Sequence, residues 1–181
     1  MYSTIGRRRA IAAVTGALLT ASVALAAPAG ASDRETGTVK PAAKAAASFS
    51  PLVVNARTGS HCTYDRLVID VQGTSVPGVS IRPVDKLYHD GSGEPVNLPG
   101  KFFLEIRLNP AQGHTDEGQN AYQGPRLTTL PYNKLKGLAY TGDFEGYVTF
   151  GTAFATKPTW STFTLDNPKR IVVDFPHAKT C

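Results

Sequence analysis

Apolar and charged side chains alternate in two segments of this chain, and the order of residues is nearly the same in both. Residues 66–71 read Arg-Leu-Val-Ile-Asp-Val, and residues 170–175 read Arg-Ile-Val-Val-Asp-Phe. Successive side chains of a β-strand point to opposite faces of the sheet. The second, fourth and sixth residues of each segment therefore form an apolar face, and the arginine and the aspartate share the other face. The pattern predicts two related strands.

The charges in these segments indicate how the two strands pair. In an antiparallel arrangement Arg66 lies opposite Asp174 and Asp70 lies opposite Arg170. Each cross-strand pair of opposite charge contributes about 0.2–1 kcal/mol, whereas a parallel, in-register arrangement would place arginine beside arginine. We therefore predict that the N- and C-terminal signature strands are adjacent and antiparallel. The alternative is two buried strands that merely look alike.

The chain has two cysteines, Cys62 and Cys181, and they favour the same pairing. In the antiparallel register Cys62 falls opposite position 178, close to Cys181, and a disulfide needs Cα atoms within about 7 Å. A disulfide here would close a loop of about 120 residues and stabilise the fold by about 4–5 kcal/mol in the chain-entropy model. The alternative is two free, buried thiols.

From residue 51 onward, short apolar runs are separated by Gly, Pro, Asn and Asp, which is typical of all-β domains. No eleven-residue window has a helical period. The clearest alternation is in residues 102–108, where Leu104, Ile106 and Leu108 are predicted to face inward. The sequence predicts eight strands, near residues 52–56, 64–71, 79–84, 102–108, 138–140, 147–154, 159–165 and 169–175.

The first residues predict export. Arg7 to Arg9 form a charged region, an apolar run follows to Ala26, and Ala29-Gly30-Ala31 is a small-residue cleavage signal. We predict a signal peptide at 1–31, a disordered linker at 32–50 and a β domain at 51–181. The protein would be secreted, extracellular or associated with the cell wall, by general secretion rather than the twin-arginine route. No later apolar run is long enough for a membrane span.

Much of the positive charge belongs to the predicted leader. The formal charge of +5 comes from 19 basic and 14 acidic residues, and three arginines but no acids lie in residues 1–31. The remaining chain has a formal charge of +2. It lacks a basic stripe interleaved with aromatic residues, so nucleic acid is not a predicted partner.

Asp143 and Glu145 are the most distinctive pair of candidate site residues. They are two apart in the segment 142–146, so on a strand they would project to one face, where repulsion between like charges raises one pKa. Such a pair suits acid–base chemistry or sugar recognition. Equally, a charged strand edge prevents pairing with another sheet.

Aromatic residues and one long loop supply the remaining candidates. Tyr122, Tyr147 and Trp160 are candidates for stacking on sugar rings, with core packing as the alternative. Residues 111–125 form the longest stretch without a strand, and loops this long are often functional. Within it His114 precedes Asp116 and Glu117, a local cluster of metal-type ligands that is more often solvated. We predict no catalytic residue, no metal and no cofactor.

Three segments together resemble a known family. Residues 167–175 resemble the terminal strand of AMIN (amidase N-terminal) domains, and residues 64–71 and 142–146 are more similar to the actinobacterial secreted AMIN-like family. The resemblance covers about residues 52–176. It implies two antiparallel sheets, as a sandwich or a partly open barrel of about eight strands, and a binding module without catalysis. The disulfide and the 111–125 loop are additions to the AMIN pattern.

Three hypotheses for function follow. The favoured one is a secreted, non-catalytic cell-envelope module that binds peptidoglycan or another wall glycan. The alternative is a secreted protein-binding or inhibitor-like domain. A carboxylate-dependent hydrolase is the second alternative, and it requires Asp143 and Glu145 in a cleft about 5–10 Å from another acid.

Overall fold

The structure is a computed structural model that describes residues 50–181, and this region is all-β. Within it no residue is helical, so no helix there could cross a membrane. Nine strands follow one another along the chain: β1 (Leu52–Ser60), β2 (Tyr64–Gln72), β3 (Gly78–Val84), β4 (Phe102–Asn109), β5 (Leu127–Thr129), β6 (Leu135–Phe144), β7 (Tyr147–Phe154), β8 (Ser161–Asp166) and β9 (Lys169–Pro176).

The strands form two antiparallel sheets. The four-stranded sheet has the order β1-β2-β9-β8, and the five-stranded sheet has the order β3-β4-β7-β6-β5. The signature strands β2 and β9 pair directly, with Arg66 opposite Asp174, and the two side chains form an ion pair at 2.6 Å. The all-β, two-sheet prediction and the adjacency of the signature strands are confirmed.

The predicted disulfide is also present. Cys62 and Cys181 are bonded; their Cα atoms are 5.2 Å apart, and the two residues are 119 positions apart in sequence. The C-terminal segment continues alongside the start of β2, because the amide of His177 donates to the carbonyl of Thr63 and that of Thr180 donates to the carbonyl of Cys62. The tail thus approaches Cys62 in the antiparallel direction that the charges predict.

The main core lies between the two sheets, and the predicted alternation holds there. Side chains that the pattern placed inward are buried in one apolar cluster: Leu67, Ile69, Val71, Leu104, Ile106, Leu108, Ile171, Val173 and Phe175. A second, smaller cluster forms where the connection between β3 and β4 packs on the opposite face of the five-stranded sheet. Its members are Leu87, Val96, Leu98, Ala139 and Ala153.

A fully buried carboxylate joins the two sheets. Asp65 of β2 accepts hydrogen bonds from the amides of Lys134 (3.0 Å) and Leu135 (2.8 Å), at the start of β6, and from the hydroxyl of Ser60 at 2.7 Å. Buried charges are tolerated only where such donors compensate the lost hydration. Asp65 therefore fixes the four-stranded sheet to the beginning of β6.

Two details of the predicted fold are corrected. Asp70 and Arg170 lie opposite each other, but Asp70 forms its ion pair with Arg57 at 2.9 Å. Arg170 instead donates from Nε to the carbonyl of Pro168 at 3.3 Å. The strand count is nine and not eight, because β5 was not predicted; in addition, β6 is longer than the predicted residues 138–140. The predicted leader at 1–31, and all of the predicted linker except Ser50, lie outside the described residues.

Candidate functional site

The hairpin of β6 and β7 carries the candidate carboxylates. Its two-residue loop, Glu145-Gly146, has positive φ values of 50° and 78°. Positive φ at both positions is what a type I′ hairpin turn requires. Glu145 therefore lies in the turn and not on a strand face. The prediction that Asp143 and Glu145 share one strand face is wrong.

A β-bulge in β6 determines what Asp143 faces. Tyr140 pairs with Phe150 and Asp143 pairs with Val148, with a register shift between Tyr140 and Gly142. Because Phe150 and Val148 are two apart on β7, they share a face, and so do the residues opposite them. The extra residue of the bulge thus brings Tyr140 and Asp143 to the same side of the sheet.

The 111–125 loop meets this side of β6. Nδ1 of His114 lies 2.7 Å from Oδ2 of Asp143, a hydrogen-bond distance. The start of the loop is anchored at two points, since the amide of Ala111 donates to the carbonyl of Gly146 and the amide of Gln112 donates to the carbonyl of Pro51. His114 and Asp143, both predicted site residues, are therefore brought together.

Two stacked tyrosines lie beneath this contact. The rings of Tyr122 and Tyr140 are 4.3 Å apart, and the guanidinium carbon of Arg126 lies 4.6 Å from the centre of the Tyr140 ring. Burial raises the pKa of both phenols; the nearby Asp143 raises that of Tyr140 further, and Arg126 partly offsets the increase in both. Tyr122 is only 1% exposed, so its ring is covered and is not free to stack on a sugar.

An open cleft adjoins this cluster, and we call it the β6 cleft. It has a volume of about 440 Å³, within the usual range for ligand sites, and lies between β6, Arg126-Leu127 and the tip of the turn at residues 89–91. This turn has the sequence Asp90-Gly91-Ser92-Gly93. The Asp90 carboxylate accepts a hydrogen bond from the hydroxyl of Thr149 at 2.7 Å. A side chain at Gly142 would collide with Asp90, so the glycine permits this approach.

The β6 cleft combines exposed apolar surface with polar groups. Phe144 is 64% exposed and Leu127 is 47% exposed, and both line it. His89, Arg126 and Asp143 also line it and supply both donors and acceptors. Because both side chains line one cleft, they form an apolar patch, and such a patch is more informative than a single exposed apolar residue. The arrangement suits a ligand with apolar faces and hydrogen-bonding edges.

The remaining candidates lie elsewhere. Glu145 and Tyr147 line a neighbouring hollow of about 260 Å³ with Asp90, Arg107 and Phe144, and the guanidinium carbon of Arg107 lies 4.9 Å from the centre of the Tyr147 ring. Trp160 lines a different cleft altogether. Across residues 50–181, no group of three or more His, Cys, Asp or Glu side chains is placed to hold a metal ion.

The sequence of the β domain matches a known protein family. The model of the AMIN-like domain matches residues 51–177, well over half of the chain. The chain belongs to the AMIN-like domain family. Membership indicates a module related to the cell envelope. Neither the curated proteins nor the solved structures gave a significant match.

Several residues at the site of this AMIN-like domain were not predicted from the sequence. Phe144 carried a usable signal, because it is an aromatic residue directly before a two-residue turn. Arg126, Leu127 and His89 carried none, because only the pairing of β5 with β6 and the return of the 85–98 segment bring them to the β6 cleft.

Proposed function

We propose that this AMIN-like domain is an exported, non-catalytic module that binds a cell-wall glycan, peptidoglycan in the first place, in the β6 cleft. The observation that carries the proposal is an exposed aromatic ring, Phe144, beside the charged groups of Arg126 and Asp143 in an open cleft. Family membership supports the location at the cell envelope.

The apolar part of the cleft suits a sugar ring. A pyranose has flat faces of C–H groups, and these pack on an aromatic ring or an aliphatic side chain. Phe144 and Leu127 offer such surfaces without any rearrangement, since both are already exposed.

The polar part suits the substituents of a wall glycan. Hydroxyl and acetamido groups both donate and accept hydrogen bonds, and peptide stems carry carboxylates. Arg126 provides a planar cation that is held over Tyr140 and bonded through Nη2 to Oδ1 of Asn120 at 2.7 Å. A fixed guanidinium loses little entropy when it binds a carboxylate.

Co-sedimentation of the chain with purified peptidoglycan tests the proposal. We expect recovery in the pellet to depend on the wall and to fall for Phe144→Ala and Arg126→Ala, each by about ten-fold in apparent affinity. Phe163→Ala is the matched control, because Phe163 is also an exposed phenylalanine but lies on β8 of the other sheet.

Equal recovery with and without wall would remove the proposal, and so would equal losses for Phe144→Ala and Phe163→Ala. The same samples address the hydrolase alternative through soluble sugar fragments, which we expect to be absent from the supernatant. Release of fragments that is lost in Asp143→Asn would favour a hydrolase. That alternative has less support, because it requires Asp143 and Glu145 in one cleft, and the two residues line different hollows.

One further observation favours the protein-binding alternative. All six residues of β8 are exposed, and β8 is an edge strand of the four-stranded sheet. Its outer edge presents backbone groups that a strand of another protein can bind. Phe163 and Leu165 add exposed apolar side chains.

Charged substitutions on β8 separate the two functions. The double variant Phe163→Lys, Leu165→Lys should prevent capture of an envelope protein by strand addition and leave wall binding unchanged. Capture that persists in this variant would exclude β8 as the contact.

A further inference from the structure

The structure has a second cleft that shares no lining residue with the β6 cleft. It forms where the end of β3, the start of β4 and the segment leading into β8 meet, and its volume is about 430 Å³. We call it the Trp160 cleft, and its apolar lining includes Pro83, Phe102, Pro158 and Trp160.

The apolar walls of the Trp160 cleft are held from behind. Trp160 packs against the main core, whereas Val84 and Phe103, which also line the cleft, pack against the smaller cluster. The walls are therefore supported on both sides by packed side chains. Phe102 remains 39% exposed and forms an open apolar surface.

The charged residues of the Trp160 cleft determine which kind of apolar ligand it favours. Lys101 and Lys157 line the cleft, and neither forms an ion pair within the described part of the chain. Asp85 is the one acid among the lining residues, so the lining carries a net charge of +1. A bound carboxylate would gain from the lysines, whereas a neutral or cationic ligand of the same shape would not.

We propose that the Trp160 cleft binds a small amphipathic carboxylate, a medium-chain fatty acid or a molecule of that type. Its apolar body lies against Phe102, Pro158 and Trp160, and its carboxylate lies between Lys101 and Lys157. The volume is within the 300–1,000 Å³ that is usual for ligand sites, and the mix of an apolar wall with few charges is typical of them.

Trp160 provides the signal for the test, because it is the only tryptophan in the chain. The chain is titrated with decanoate below its micelle concentration while tryptophan emission is recorded. We expect a saturable change with decanoate and apparent binding about ten-fold weaker with decan-1-ol, which corresponds to about 1.4 kcal/mol. Added salt should weaken decanoate binding and leave decanol binding unaffected.

Paired variants show which side chains are responsible. Lys101→Gln with Lys157→Gln should weaken decanoate binding about ten-fold and leave decanol binding unchanged. The control is Lys86→Gln with Lys179→Gln, which removes the same charge from exposed positions outside the cleft. Phe102→Ala should weaken binding of both ligands.

Three results would overturn the proposal. They are a signal that does not saturate, decanol binding as tight as decanoate binding, and equal losses in the two lysine double variants. Thermal melting of each variant is measured alongside, so that a loss of binding is read only from protein that retains the wild-type transition. The Phe144→Ala variant should bind decanoate normally, which keeps this test separate from that of wall binding.

Discussion

Gly113 is the residue whose size most directly controls the His114–Asp143 contact. A Cβ there would collide with the hydroxyl of Tyr140 and lie 3.0 Å from Oδ2 of Asp143. Gly113→Ala should therefore destabilise the protein by about 1–3 kcal/mol, the usual cost of overpacking. Chemical denaturation measures this loss as a decrease in the free energy of unfolding. Gly91→Ala is the control, since a Cβ there meets no atom within 4 Å, and an equal loss in both would contradict the explanation.

Because of Tyr122 and Tyr140, the stability of the folded protein should depend on pH in the alkaline range. Burial raises the pKa of both above the ordinary value of 10.0. Above pH 10 the unfolded chain loses phenolic protons that the folded protein keeps, so their contribution is complete below that pH and declines as pH rises. The melting temperature of Tyr140→Phe should fall less steeply than that of wild type between about pH 10 and 12. Tyr88→Phe, at an exposed ring, should follow wild type, and equal slopes for Tyr140→Phe would refute the prediction.

The candidate site could be predicted only in part at the level of single residues. His114 and Asp143 were both identified as candidates, but they are 29 positions apart and no local pattern connects them. Strand alternation instead placed Asp143 and Glu145 on one face. That prediction failed because side chains alternate with a period of two only inside a regular strand. The chain leaves regular geometry at both places that matter, the bulge after Tyr140 and the turn at Glu145.

At the level of elements, regular strands were predictable and irregular ones were not. β4 alternates without interruption, and its inward residues were identified correctly. β6 has one register shift at its start, between Leu135 and Gly137, and another just past its middle, between Tyr140 and Gly142; each shift breaks the period of two. β5 has three residues, too few for alternation to appear, and exists because it pairs with β6.

Asp65 is expected to stabilise the connection between the two sheets beyond what the apolar core contributes. Asp65→Ala removes the oxygen that accepts hydrogen bonds from the amides of both Lys134 and Leu135, and so leaves two donors at the start of β6 without an acceptor. The loss should be about 2 kcal/mol or more in the free energy of unfolding, measured with urea. Asp70→Ala on the same strand should cost at most about 1 kcal/mol, because its partner Arg57 is exposed. The reverse order would show that Asp65 does not join the sheets.

At the level of the whole molecule, the closure of the chain was predictable because two independent features required the same register. The Arg66–Asp174 pairing fixes β2 against β9, and the same register brings Cys181 to Cys62. Buried apolar residues alone would not have distinguished parallel from antiparallel pairing. The arrangement of the other strands had no such long-range marker, which is why the sheet order could not be derived from the sequence.

The disulfide should stabilise the fold through the unfolded state. It joins residues 119 positions apart, and the chain-entropy model gives about 4–5 kcal/mol for a loop of that length. The double variant Cys62→Ser, Cys181→Ser should lose up to that amount of unfolding free energy, measured by urea denaturation. The backbone hydrogen bonds of His177 and Thr180 should keep the tail in place. Reductant should lower the midpoint of wild type and leave the double variant unchanged. An unchanged wild-type midpoint after complete reduction would mean that these contacts alone hold the two ends together.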